Sequence, residues 1–91
     1  MNSLQPERDL YQGILQIGIA YYQIKRGNYR GAIKMFRRGQ QNLFQLPDTI
    51  LGMNLVQFRL DAQEAESALR ALGPGEIGKF DQDLFKAIPR I

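Results

Sequence analysis

Apolar positions recur at spacings of three and four along most of this chain, and the first such segment carries two apolar rows rather than one. Leu10, Ile14, Ile17, Tyr21 and Ile24 form one row, and Tyr11, Leu15, Gly18 and Tyr22 form a second beside it. Both rows fit a single helix at 3.6 residues per turn. Pro6 suits the first helical position, where a missing N–H loses no bond. Glu7 and Asp9 at the start, and Lys25 and Arg26 at the end, complement the helix dipole. Gly13, Gly18 and Ala20 are small enough to let another backbone approach, although each glycine weakens helix propensity by about 1 kcal/mol. Two rows make a face wider than one neighbouring helix covers. The C-terminal tail, a second copy of the chain or a different protein is therefore expected to lie against the second row.

Gly27 fits the left-handed position that ends a helix, and Asn28 fits the cap that opens the next. So short a connection predicts two antiparallel helices side by side. In the second, Tyr29, Ala32, Ile33, Phe36, Gln40 and Leu43 share one side, and Arg30, Lys34, Arg37 and Arg38 share the other. Residues 45–53, with Pro47, Asp48 and Gly52, read as a loop. Asn54 and Gln57 resemble a capping pair for a third helix with apolar positions Leu55, Phe58, Ala62, Ala65, Leu69 and Leu72. Gly73-Pro74-Gly75 stops it. The tail offers Phe80, Leu84, Phe85, Ile88 and Ile91, with a short helix expected over 81–87. The predicted fold is all-α: an antiparallel three-helix bundle with a helical hairpin core and a short extra C-terminal helix. Residues 1–75 form the bundle domain and 76–91 the tail.

Charge changes the picture. The chain has 91 residues and a net charge of +3, but the charges are unevenly placed. No acid falls in residues 10–47, where Lys25, Arg26, Arg30, Lys34, Arg37 and Arg38 cluster. That cluster is a candidate anion-binding face, for nucleic acid or another polyanion, with a plain solvated helix face as the bland alternative. It carries no known nucleic-acid motif and no Asn or Gln among its arginines to read bases.

The chain lacks both His and Cys, and with them the commonest general base, the thiolate nucleophile and the usual zinc ligands. Asp61, Glu64 and Glu66 make no convincing acid–base pair, so no catalytic residue, metal site or cofactor is expected, and a ligand-binding or enzymatic role ranks last. Gln12, Gln16 and Gln23 lie along one edge of the first helix. They are a strip for a small polar ligand, with Arg26 and Arg30, or else a solvent strip or hydrogen-bond partners across a helix interface. The uncharged residues 10–24 are too few and too polar to span a bilayer. The absence of Cys, and of a basic start followed by an apolar run, suits a cytoplasmic protein. A non-enzymatic interaction or assembly module is the leading expectation, with a protein partner or a second copy of itself held by Tyr11, Leu15, Tyr22, Phe80, Leu84 and Phe85.

Tyr11-Gln12-Gly13-Ile14-Leu15-Gln16-Ile17, then Ala20-Tyr21-Tyr22, then Lys25-Arg26-Gly27-Asn28-Tyr29-Arg30-Gly31-Ala32 resemble the core of a bacterial and archaeal helical family. It is catalogued as domain of unknown function 309. Leu51-Gly52-Met53-Asn54-Leu55 looks like that family's entry to its last helix, with Asn in place of Asp. The resemblance spans roughly residues 8–72. It implies a compact helical bundle and brings no activity with it. The family's earlier helix, with its His-Glu-Trp-type motif, has no counterpart here, so no site built on those side chains carries over. A second, partial similarity places Gly27, Tyr29, Ala32 and Phe36 at the spacing of a tetratricopeptide repeat. No second copy follows, and such repeats need neighbours.

Overall fold

A computed structural model describes residues 6–81 and residue 84. It contains helix α1 (Pro6–Lys25), helix α2 (Tyr29–Phe44), strands β1 (Thr49–Ile50) and β2 (Met53–Asn54), helix α3 (Leu55–Leu72) and a 3-10 turn, η1 (Pro74–Lys79). The architecture is the expected all-α bundle on a helical hairpin.

The hairpin turn follows from two residues. Gly27 takes φ of 77°, in the left-handed region. Its N–H donates to the Ile24 carbonyl at 2.9 Å, and the Asn28 N–H donates to Gln23 at 2.8 Å. This pair of bonds closes the last turn of α1. The Asn28 side chain then accepts from the Gly31 N–H at 3.0 Å, capping α2 without an intervening residue.

The hairpin closes on glycine. A Cβ placed on Gly13 would lie 2.6 Å from Leu43 Cδ2 and 3.1 Å from the Gly39 carbonyl oxygen. One on Gly39 would meet Ile17 Cδ1 at 2.8 Å and the Gly13 carbonyl at 3.0 Å. The two backbones cross with no room for a side chain. Around the crossing, the first row of α1 is buried as a whole, against Ala32, Phe36 and Leu43 of α2. Tyr21 and Phe36 meet edge to face with centroids 5.8 Å apart.

Helix α3 packs chiefly on α2. Its core row, Leu55, Phe58, Ala62, Ala65 and Leu69, is buried as its spacing predicts. Asn54 caps it by accepting from the Gln57 N–H at 3.3 Å. The Gln57 side chain donates onward to Asp61 at 2.9 Å instead of returning to the cap. Gln40 of α2 donates to Glu66 of α3, which is also ion-paired with Arg70 at 2.8 Å. Arg59 makes the firmest polar tie. Its guanidinium donates to the carbonyls of Leu43, at 2.8 Å, and of Leu46, just past the end of α2. It also pairs with the exposed Asp48 at 3.2 Å, a contact that contributes little in water.

Two segments depart from expectation. The stretch read as a loop holds a two-residue antiparallel ladder, with Thr49 opposite Asn54 and Ile50 opposite Met53. Leu51 and Gly52 join the strands at φ of 51° and 76°. Both are positive, as a tight hairpin with the twist of its strands requires. The second departure is η1, which begins at Pro74 where only a stop was read. The helix expected over 81–87 lies largely outside the described residues. Phe80 is buried in the core, and Ile77 and Leu84 pack against it. The described part of the tail therefore fills the bundle and does not cover the second row of α1.

Three measurements test this account of the fold. Gly39→Val should lose roughly 1–3 kcal/mol to overpacking, more than the few tenths gained in helix propensity. An unchanged midpoint in urea would rule out the close crossing. Arg59→Met should lose about 1.5–3 kcal/mol by removing its charge-assisted bonds to the two carbonyls. Arg59→Lys should recover less than half, because an ammonium lacks the planar fork; full recovery by Lys would show that charge alone matters. The third concerns Tyr21, whose phenol is pushed from 10.0 up to about 12 by burial, with the nearby Asp61 charge adding to it. Between pH 10 and 12 the unfolded phenol ionises while the folded one stays neutral, so stability should fall as pH rises through that window. In Tyr21→Phe the fall should be shallower, as read by chemical denaturation at each pH. Parallel curves would exclude the buried phenol as its source.

Candidate functional site

Among the described residues, two surfaces on different helices stand unpartnered. The first is the second row of α1. Tyr11, Leu15 and Tyr22 are 52%, 62% and 57% exposed. They step by four and seven residues along about 16 Å of helix, so they share one face. Gly18 lies between Leu15 and Tyr22, and a Cβ built on it meets nothing within 4 Å. With Ile14 and Ile19 these residues line an open, largely apolar groove of about 380 Å³. Arg26 bounds its C-terminal end, with its guanidinium 5.7 Å from the centre of the Tyr22 ring.

Of the other residues expected on this surface, Phe80 is 6% exposed and sits in the chain's own core, so it is not on the exposed face. Its apolar area is used by the bundle because η1 turns the tail back over the helices. Leu84 packs half-buried against the same core. Phe85 lies outside the described residues.

The second surface is the outer face of α2. Arg30, Lys34, Arg37 and Arg38 are exposed and, among the described residues, form no ion pair or hydrogen bond. With Tyr29, Ile33 and Gln41 they line a groove of about 390 Å³. Lys25 and Arg26 are exposed too, but Lys25 ends α1 and Arg26 begins the turn at Gly27, so neither lies on α2. The predicted cluster of six is thus a run of four along one helix, with two more beyond its N-terminal end. Three of the acids in the second half of the chain are engaged with other cations: Asp48 with Arg59, Glu66 with Arg70, and Glu76 with Lys79.

Phe44 is a residue that sequence reasoning assigned no role. At 81% exposed it is the barest large apolar side chain among the described residues. It continues the basic face, because 30, 34, 37, 41 and 44 step by four, three, four and three. Arg37, Gln40, Gln41, Phe44 and Glu66 line a further shallow groove there. An aromatic residue in phase with the polar stripe was the signal available in the sequence.

The glutamine strip is mostly a structural feature. Gln16 accepts from Asn42 of α2 at 2.6 Å, and Gln23 accepts from Asn28 at 3.2 Å. Both brace the hairpin and lie where ligand atoms would need them free. Gln12 alone of the three is fully exposed. Asp61 accepts from Gln57, Glu66 is held by Gln40 and Arg70, and Glu64 faces water, so the three carboxylates converge on no common point. Among the described residues no cluster of acids suits a metal ion, and no helix is long and apolar enough to cross a membrane.

No curated protein and no solved structure matches the chain. One family model does, over residues 1–35, which take in α1, the Gly27-Asn28 turn and the first two turns of α2. The segment around Leu51–Leu55 lies beyond that match. Over its opening hairpin, then, the chain is similar to the family described as Domain of unknown function (DUF309).

Proposed function

We propose that this chain is a non-enzymatic, cytoplasmic interaction module that works by packing another helix along the second row of α1. The observation that carries the reading is the continuous apolar stripe of Tyr11, Leu15 and Tyr22 around the bare Gly18. Its spacing of four, three and four is that of a seam between two helices. Gly18 lets a partner backbone come close, while Tyr11 and Tyr22 supply large side chains at either end. The partner is a protein, either a second copy of this chain or another helix with a complementary seam.

The alternative is that the basic face of α2 holds nucleic acid or another polyanion. Its support is the run of four unpaired cations, and it uses a separate surface. The two readings are compatible.

Size-exclusion chromatography with light scattering, alongside binding of an apolar fluorescent dye, tests the α1 reading. Self-association or strong dye uptake is expected, and Leu15→Lys should abolish it. Because Leu15 is exposed, that change should leave folding stability within about 0.5 kcal/mol. A folded chain that stays monomeric at high concentration and takes up no dye would overturn the reading.

A further inference from the structure

We infer that the outer face of α2 is a platform for single-stranded nucleic acid, with Phe44 as the base-stacking residue. The inference takes the polyanion reading as its starting point and is independent of α1. Arg30, Lys34 and Arg37 run along one face, with Arg38 at its edge, and the same face ends on the bare ring of Phe44. From Arg30 to Phe44 the stripe covers about 21 Å of helix. The cations offer a track for a phosphate backbone, and an exposed aromatic beside them offers a surface on which an unpaired base can stack. Gln41, between Arg37 and Phe44, adds a donor and an acceptor at the point where a stacked base would sit.

The two neighbouring chemistries fit less well. A duplex keeps its base faces covered, so it would use the cations and leave Phe44 in water. An anionic lipid surface would need several apolar side chains to insert. Here Tyr29 and Ile33 are half-buried against the core, which leaves Phe44 as the one protruding apolar group in the stripe. Glu66 borders the Phe44 end, but its carboxylate is already bound to Arg70 and Gln40 and so opposes the stripe only weakly.

The test is fluorescence anisotropy of the full chain with labelled oligo(dT) and oligo(U) of about 12 nucleotides. A duplex of the same length and phosphatidylserine vesicles are the other arms. Either single strand should bind at low salt, with log affinity falling against log salt at a slope of about −2 to −3 for four neutralised phosphates. DNA and RNA strands support the inference equally, and their ratio reports any contact to the 2′-hydroxyl. Phe44→Ala should weaken single-strand binding roughly five- to a hundredfold and leave the duplex untouched, whereas Phe44→Tyr should retain it. Lys34→Glu with Arg37→Glu should abolish binding in every arm, with circular dichroism confirming the fold. No binding of any oligonucleotide at low salt would overturn both this inference and the polyanion reading. Equal binding of duplex and single strand, or indifference to Phe44→Ala, would sink the stacking platform and leave the polyanion reading standing. Vesicles bound in preference to oligonucleotides would also overturn the inference, assigning the face to membranes.

Discussion

The crossing of α1 over α2 at Gly13 and Gly39 constrains everything else in this fold. Each glycine would place a Cβ about 3 Å from the other's carbonyl oxygen, so the two backbones are in contact. That proximity lets Ile17 and Leu43 close over the crossing and brings the edge of Tyr21 onto Phe36. It also fixes which side of α1 faces inward. The first apolar row is committed to the hairpin, and the second is turned toward its flank. Since α3 packs chiefly on α2, that flank receives no cover from the third helix. The exposed stripe is a consequence of how the core is built.

Much of this was legible in the sequence, because it depended on local rules. The two rows of α1 follow from spacing alone, and one of them had to be left over. Gly27 and Asn28 announce a helix end and a helix start in adjacent positions, which leaves the chain no option but an antiparallel hairpin. Asn54 marks the start of α3 in the same way. The match to the family model covers this same opening region, where short-range signals are densest.

Other features depend on distant parts of the chain meeting, and they left little trace. Gly39 lies between the apolar and basic sides of α2, and only the position of Gly13 reveals why a side chain is excluded there. Arg59 reads as one more cation on α3. Its role exists because the ladder of β1 and β2 folds residues 45–54 so that the end of α2 and the second turn of α3 come within reach. Phe80 was expected to hold a partner, because the apolar spacing of the tail does not say which surface it meets. Pro74 instead begins a 3-10 turn that brings the tail back onto the bundle.

Charge placement completes the contrast between the two surfaces. A solvated helix face usually mixes its signs, since acids four residues from bases add a little stability and basic neighbours subtract it. On α2 the opposite holds: Lys34 and Arg38 are four apart with like charge, and the helix contains no acid. The second half of the chain carries enough carboxylates to balance the stripe, yet those of Asp48, Glu66 and Glu76 are paired with Arg59, Arg70 and Lys79 nearby. Folding therefore leaves a concentrated positive potential on one helix and concentrates apolar surface on another. A single partner that used both would have to wrap around the hairpin. Two partners, or a second copy and a polyanion, could each occupy one face without displacing the other.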